Sequence, residues 1–404
     1  MVFDFLYNKK ESTALLIDIG NGSIGGAFIS TDSGKVPRII YNVRLPFIVV
    51  DKPDTLNLVS GMDILLDGVL NILIKNGFKQ EYWKNREKKL TSALITFSSP
   101  WFQLKTKQID ILRDESFFIT EEFLDDIIKK EEKIFEKELS GGSDNTKSNS
   151  FKIIEKSIIH AKINGYTINN VIGKKTKKFD AFICMSLIPE NIEDKVQSAI
   201  LKYVNIQKEK IIMHSFPMVS FSTIRDLFIE NSDFIIMDVT GEITDLSLVR
   251  DSAIVQTVSF PSGRNFIIRQ IAKTFDVQTE IAESMLHIYL SNKANSSVSG
   301  SIENILTNIE KEWSIHFERA LRELSKEMVL PKKVYITSDS DVAKFYVDFL
   351  KLSKTDSTFE FRKNIDITHV NHDTLSHLCQ SNARALPDEF IEILAIFYNK
   401  ILKN

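Results

Sequence analysis

Residues 15–26, LLIDIGNGSIGG, decide the fold once they are set beside residues 235–249, IIMDVTGEITDLSLV. Each stretch is an apolar β-type run that delivers an aspartate, Asp18 and then Asp238, into a tight turn before the chain returns to strand. A recurrence 220 residues apart implies two halves of one site. A triphosphate with a magnesium ion suits such a pair. Backbone N–H groups of a glycine turn approach phosphate oxygens unhindered, and a carboxylate just before the turn holds waters of the metal's shell. On that chemistry Gly20, Asn21, Gly22 and Ser23 form the first phosphate turn, and Gly241 to Thr244 the second. The hydroxyls of Ser23 and Thr244 would reach phosphate, and Asp18 and Asp238 would hold the metal through waters.

Gly20-Asn21-Gly22-Ser23-Ile24-Gly25 also satisfies G-x-G-x-x-G after a strand, the dinucleotide fingerprint taken as a bare pattern. That fingerprint needs a helix to start at the glycines, with its N-terminus facing the pyrophosphate. Here Gly26-Ala27-Phe28-Ile29-Ser30 and then Asp32-Ser33-Gly34 read as a second strand closed by a turn, and Asp18 would confront the pyrophosphate. A hairpin is the better reading.

Two further stretches complete the pattern: the acidic block Ile119 to Ile128, ITEEFLDDII, and Phe260-Pro261-Ser262-Gly263, which opens a helix after the second hairpin. In this order the chain resembles the actin-like ATPase superfamily, and within it the cell-division protein FtsA and the type IV pilus assembly protein PilM, over nearly its whole length. The resemblance implies an α/β, two-lobed actin-like (ribonuclease H-like) fold that holds ATP and Mg2+ between its lobes. Asp18 and Asp238 would stand at the catalytic centre, and Gly263, Ser338 and Asp339 at the nucleotide. The acidic block would be the helix of the strand-helix-strand-strand (SHS2) insertion that marks FtsA and PilM, a surface for protein partners. The implied organisation is a first lobe over 1–89, the insertion over 90–186, the first lobe again over 187–230, a second lobe over 231–368, and C-terminal helices returning to the first lobe over 369–404. The implied role is an assembly scaffold for a membrane-associated machine, with self-assembly into filaments as a further expectation.

Departures from the family pattern narrow the function that the resemblance implies. The adenosine strand of actin relatives ends in adjacent glycines, whereas Val334–Thr337 runs into Ser338 and Asp339, whose side chains remove that close approach. A lysine that faces the adenine in relatives falls near Leu286. The residue that orients attacking water falls at His214 or Phe216. Histidine has the pKa of a base, though one at a strand end is more often structural. Slow or absent hydrolysis is expected. The principal alternative is a pseudo-ATPase adaptor that binds partners without nucleotide, followed by a sugar or acid kinase of the same fold.

The remaining features set bounds. A chain of 404 residues suits two lobes and a small insertion, and a net charge of −3 argues against a general nucleic-acid binder. Cys184 and Cys379 read as buried thiols, which fits a cytoplasmic location. No apolar run reaches the ~20 residues that span a bilayer. Met1 to Lys10, an apolar cluster ahead of two lysines, reads as weak peripheral attachment at the inner face of the membrane, a partner-docking segment, or a lead-in to the first strand. The stripe Phe390, Ile393, Leu394, Phe397 and Ile401 reads as core rather than anchor. His369, His372 and His377 lack metal-site spacing and read as a solvated loop. Arg264 reads either as a phosphate contact or as an exposed helix-start arginine, and Trp101 and Phe117-Phe118 either as a partner surface or as core.

Overall fold

The computed structural model describes residues 12–402 apart from 53, 140–149, 169, 292, 294–295, 326–328 and 353–364. Met1–Lys10, the polar tract Ser140–Thr146 and part of a second polar tract, Ser291–Ser297, lie outside the described residues. Three strands open the fold as an antiparallel meander: β1 (Ser12–Ile19), β2 (Ser23–Thr31) and β3 (Arg38–Pro46). Helix α1 (Thr55–Ile72), capped by the Asp54 carboxylate on the Asn57 N–H, leads through a π-helical turn over Leu73–Gly77 toward β4 (Ser92–Phe97), which pairs parallel with β1.

The chain then leaves this sheet. Strand β5 (Gln103–Phe118), helix α2 (Glu121–Leu139), strand β6 (Phe151–Ile163), the two-residue β7 (Tyr166–Thr167) and β8 (Lys175–Pro189) build a strand-helix-strand-strand unit. Thr120 caps α2, accepting the Phe123 N–H at 3.1 Å, as its position before two glutamates suggests. Its sheet runs β5-β8-β6-β7. The sequence placed residues 92–98 at the head of this insertion; β4 belongs instead to the first lobe's sheet, and the separate sheet starts at Gln103.

Helix α3 (Glu190–Tyr203), strand β9 (Ile211–Ser215) and helix α4 (Phe216–Leu227) return the chain to the first lobe. The second lobe repeats the opening plan. Strands β10 (Phe234–Val239), β11 (Thr244–Arg250) and β12 (Ala253–Phe260) form a meander, followed by helices α5 (Arg264–Phe275), α6 (Thr279–Leu290) and α7 (Ser296–Leu324). Strand β13 (Lys333–Ser338) pairs parallel with β10, and helix α8 (Ser340–Leu352) precedes β14 (Asp366–His369), parallel to β13. A short α9 (His372–Leu375), β15 (Gln380–Ser381) and α10 (Glu389–Ile401) end the fold on the first lobe. The two lobe sheets run β15-β3-β2-β1-β4-β9 and β12-β11-β10-β13-β14, so β1-β2-β3 with β4 and β10-β11-β12 with β13 are the same arrangement used twice.

Helices α4 and α10 pack together under both sheets. Leu16, Leu94, Phe216 and Phe390 from the first lobe share one buried cluster with Phe234, Ile236 and Tyr335 from the second. The lobes therefore meet through continuous apolar packing, which holds their relative orientation. Most of the C-terminal stripe is core as expected: Phe390, Ile393, Leu394 and Phe397 are buried, and Ile401 is half-buried against the same cluster. One expectation needs correction. Leu56–Gly77 is helical, long and apolar enough to cross a membrane by length and composition. Its residues Met62, Leu66, Val69, Leu70 and Leu73 are packed into the first-lobe core against β2 and β3, while Leu56 and Ile64 on its other face are exposed.

Candidate functional site

The duplicated meanders bring Asp18 and Asp238 to matching places, one residue before the ends of β1 and β10. Each aspartate stands in register with a threonine on the parallel neighbour strand: Asp18 with Thr96, Asp238 with Thr337. Thr96 Oγ1 donates to Asp18 Oδ1 at 3.1 Å, and Thr337 Oγ1 donates to Asp238 Oδ1 at 2.7 Å. Both carboxylates are buried, 2% and 3% exposed.

On the other flank the two halves diverge. Across the first meander the register aligns Asp18, Gly25 and Arg44; across the second it aligns Asp238, Asp245 and Ser259. Gly25 leaves its space open, and the Arg44 guanidinium lies over it: a Cβ there would sit 2.5 Å from Arg44 Nη2. Through that gap Arg44 Nη1 donates to Asp18 Oδ2 at 3.0 Å and to Ser23 Oγ at 2.9 Å. Its Nε and Nη2 grip both oxygens of Asp388, the α10 cap, at 2.9 Å each. In the second half Asp245 replaces the gap with another acid, which accepts from Ser259 Oγ at 2.5 Å and Ser99 Oγ at 2.9 Å. Asp238 Oδ2 has no partner among the described residues. Burial pushes its carboxyl well above the ordinary range, and Asp245 and Asp18 add like-charge repulsion. Burial raises Asp18 too, with Arg44 pulling the other way.

The two turns meet each other. Asn21 Nδ2 donates to Thr240 Oγ1 at 2.8 Å and to the Ser99 carbonyl at 2.5 Å, while its Oδ1 accepts the Glu242 N–H at 2.6 Å. Only glycines permit this approach, since a Cβ on Gly22 would lie 2.6 Å from Gly241 Cα. Trp101 is buried, and its Nε1 donates to the Gly20 carbonyl at 2.8 Å, fixing the first turn from behind. The second turn is fixed by Glu242, whose carboxylate accepts from Arg269 at 3.0 and 2.6 Å and from Asn265 at 2.8 Å.

Other sequence candidates fall in several places. The Thr244 hydroxyl is directed away from the crease, donating to the Ser262 carbonyl at 2.8 Å. Gly263 packs behind the second turn, its N–H on the Glu242 carbonyl at 3.2 Å. Ser338 is buried, its Oγ without a partner among the described residues. Asp339 lines a cavity of about 350 Å³ between the lobes, together with Ser23, Arg44, Arg264, Asp388 and Glu389. Burial raises Asp339 to about 6 and Glu389 to about 8. Arg264 is neither exposed nor free for phosphate: it holds Asp341 at 2.7 Å and Glu283 at 2.9 Å. Leu286 is buried in the second-lobe core.

His214 does not join this site. Its Nδ1 lies 3.1 Å from Glu155 Oε2, its ring meets Phe397 edge-on, and the same carboxylate accepts the Ser215 N–H at 2.9 Å. That contact ties the insertion to the first lobe, which is a structural task. Phe216 is fully buried. Two of the three C-terminal histidines correct the loop reading: His369 ends β14 and His372 opens α9, its Nδ1 2.5 Å from Glu392, while His377 lies exposed in a turn. Among the described residues no three His, Cys, Asp or Glu converge as a metal set. Cys184 and Cys379 are buried free thiols.

A magnesium nucleotide needs open turn N–H groups, a carboxylate free for the metal's waters, and room between the turns. Asp238, with its unpartnered Oδ2, meets the second need. Asp18 is neutralised by Arg44, the Glu242 N–H is taken by Asn21, and the turns are in contact. The residues as arranged do not fit the magnesium nucleotide. Sequence reasoning missed Arg44; the signal was a guanidinium between Val43 and Leu45 on a strand two places from Asp18.

These lobes, their duplicated sheets and the crease between them are the two-lobed actin-like ATPase fold. No family profile and no curated protein matches the chain. Solved structures do. The PilM-PilN type IV pilus biogenesis complex aligns at a TM-score of 0.60 and 12% identity, covering 96% of this chain and 98% of that one. MreB 5 of Spiroplasma citri bound to AMPPNP aligns at 0.45 and 12%, covering 97% and 98%. The ethanolamine utilization protein EutJ from Carboxydothermus hydrogenoformans aligns at 0.45 and 10%, covering 97% and 91%. At such identities the PilM likeness speaks to fold, and the two weaker alignments carry nothing about the site.

Proposed function

We propose that this protein is an actin-fold scaffold for a membrane-associated assembly machine of the pilus or cell-division kind, acting through protein contacts rather than nucleotide turnover. The observation that carries this reading is the state of the two residues at which the resemblance puts the water-orienting group: His214 is bound to Glu155, and Phe216 is fully buried. Positioning of water is what turns a phosphate-binding crease into a hydrolase. The pilus arm is supported by the likeness to the PilM-PilN type IV pilus biogenesis complex.

The insertion is the proposed partner surface. Its strand β5 is 16 residues long and stands at a sheet edge, with Leu112 78% and Phe118 59% exposed. An exposed edge with apolar side chains is a template for another chain. Self-assembly and attachment through Met1–Lys10 at the inner face of the membrane belong to the same proposal. The test is binding of a PilN-type membrane protein from the same organism, measured by surface plasmon resonance beside a phosphate-release assay. Binding that Leu112→Asp weakens at least ~10-fold, with no phosphate released, supports the reading. Magnesium-dependent phosphate release would sink it.

A second reading keeps ATP and Mg2+ in an opened crease. Asp238 favours it, because Oδ2 is buried with no partner among the described residues. It requires the Asn21 bonds to part and Arg44 to release Asp18.

A further inference from the structure

Two side chains occupy the chemical roles that a magnesium nucleotide would fill. Arg44 places a positive charge against Asp18 Oδ2 and also donates to Ser23 Oγ, the hydroxyl nearest the first turn. Asn21 Oδ1 accepts the Glu242 N–H at 2.6 Å, the kind of backbone donor that a phosphate oxygen takes in such a turn. Its amide nitrogen meanwhile bonds Thr240 on the second lobe and the Ser99 carbonyl on the first. Ser99 Oγ adds a second polar link between the lobes at Asp245.

We propose that this chain has internalised its ligand: Arg44 stands in for the metal cation and Asn21 for the phosphate, so the lobes stay closed with no nucleotide bound.

The geometry supports more than an incidental ion pair. Arg44 reaches Asp18 only because Gly25 stands between them in register, and its other nitrogens are anchored by both oxygens of Asp388. The guanidinium also lies 5.0 Å over the Phe390 ring. Side chains of Arg44, Asp18 and Asp388 are 20%, 3% and 7% exposed, so the triad sits in a largely dry environment where an unpaired charge is costly. Gly22 and Gly241 bring the turns so close that no phosphate group fits between them. The Asp18 half of the crease is therefore satisfied by its own atoms, while Asp238 Oδ2 has no partner among the described residues.

This inference deepens the turnover-free reading of the crease but stands apart from the partner surface, so the two fail separately. Its test is thermal unfolding of the full chain with and without millimolar MgCl2 and Mg·ATP, for wild type, Arg44→Lys and Arg44→Ala. Wild type and Arg44→Lys are expected to shift by under ~1 °C with either ligand. Arg44→Ala removes the stand-in and uncovers Asp18, and its midpoint is expected to rise by at least ~2 °C with magnesium. Two results overturn the proposal: a rise of several degrees for wild type with Mg·ATP, or a folded Arg44→Ala variant indifferent to magnesium. If Arg44→Ala does not fold, the wild-type titration and limited proteolysis of Asn21→Ala decide. Cleavage between the lobes no faster than wild type would overturn the lock.

Discussion

The flanks of Asp18 and Asp238 show how one device serves two ends. Both aspartates leave a buried strand at the same place, and both accept a threonine hydroxyl from the parallel neighbour. Beyond that, the first meander continues as glycine then arginine, and the second as aspartate then serine. One carboxylate is thus neutralised within its own lobe, and the other is left with an empty oxygen beside a second acid. A duplicated fold fixes where a carboxylate stands; the next two strands fix what it can do.

The sharpest way to break this comparison is Arg44→Ala, which leaves Asp18 and Asp388 buried and unpaired. A loss of about 3–5 kcal/mol in denaturant unfolding is expected. Asp18→Asn and Asp238→Asn, measured the same way, sharpen it. The first weakens a buried ion pair and should cost about 2 kcal/mol; the second removes a charge that burial already disfavours and should stay within about 1 kcal/mol of wild type. Equal costs would mean that the two halves are equivalent after all. Asn21→Ala tests the junction of the turns, where three hydrogen bonds go at once, with about 1–3 kcal/mol expected and faster proteolysis between the lobes.

The smallest effect is a pH slope. Burial, then repulsion from Asp388 and Asp339, lifts Glu389 from 4.5 to about 8, with Arg44 opposing. The folded form therefore holds a proton that the unfolded chain releases between those values, so this residue's contribution is full below pH 4.5 and is lost as pH rises toward 8. Glu389→Gln should remove that slope, unfolding at a higher temperature than wild type near pH 8 and gaining nothing near pH 4.5. A parallel pair of pH curves would refute the assignment.

Much of the fold was legible because its signals are local. The hairpins, the Thr120 cap and the apolar runs of β4, β10 and β13 announce themselves within a few residues of sequence. The crease was legible only in outline. Asp18 and Asp238 come together as the repeat implies, yet Arg44 enters from a strand two places away through a gap that only the register reveals. Gly25 belonged to a familiar glycine pattern, and its use as space for a guanidinium is a tertiary fact. His214 was a candidate base by residue type, but Glu155, 59 residues earlier in the insertion, claims it. Trp101 looked like surface or core and proved to be the brace behind the first turn.

The central claim is that Arg44 and Asn21 take the roles of the metal cation and the phosphate at the two turns. Calorimetric titration of the wild-type protein with ATP in the presence of magnesium tests it directly. No binding heat up to millimolar ATP is the result expected of a crease whose Asp18 is paired with Arg44 and whose turns are joined by Asn21. Micromolar binding that Asp18→Ala abolishes would contradict it and restore the crease as a working nucleotide site.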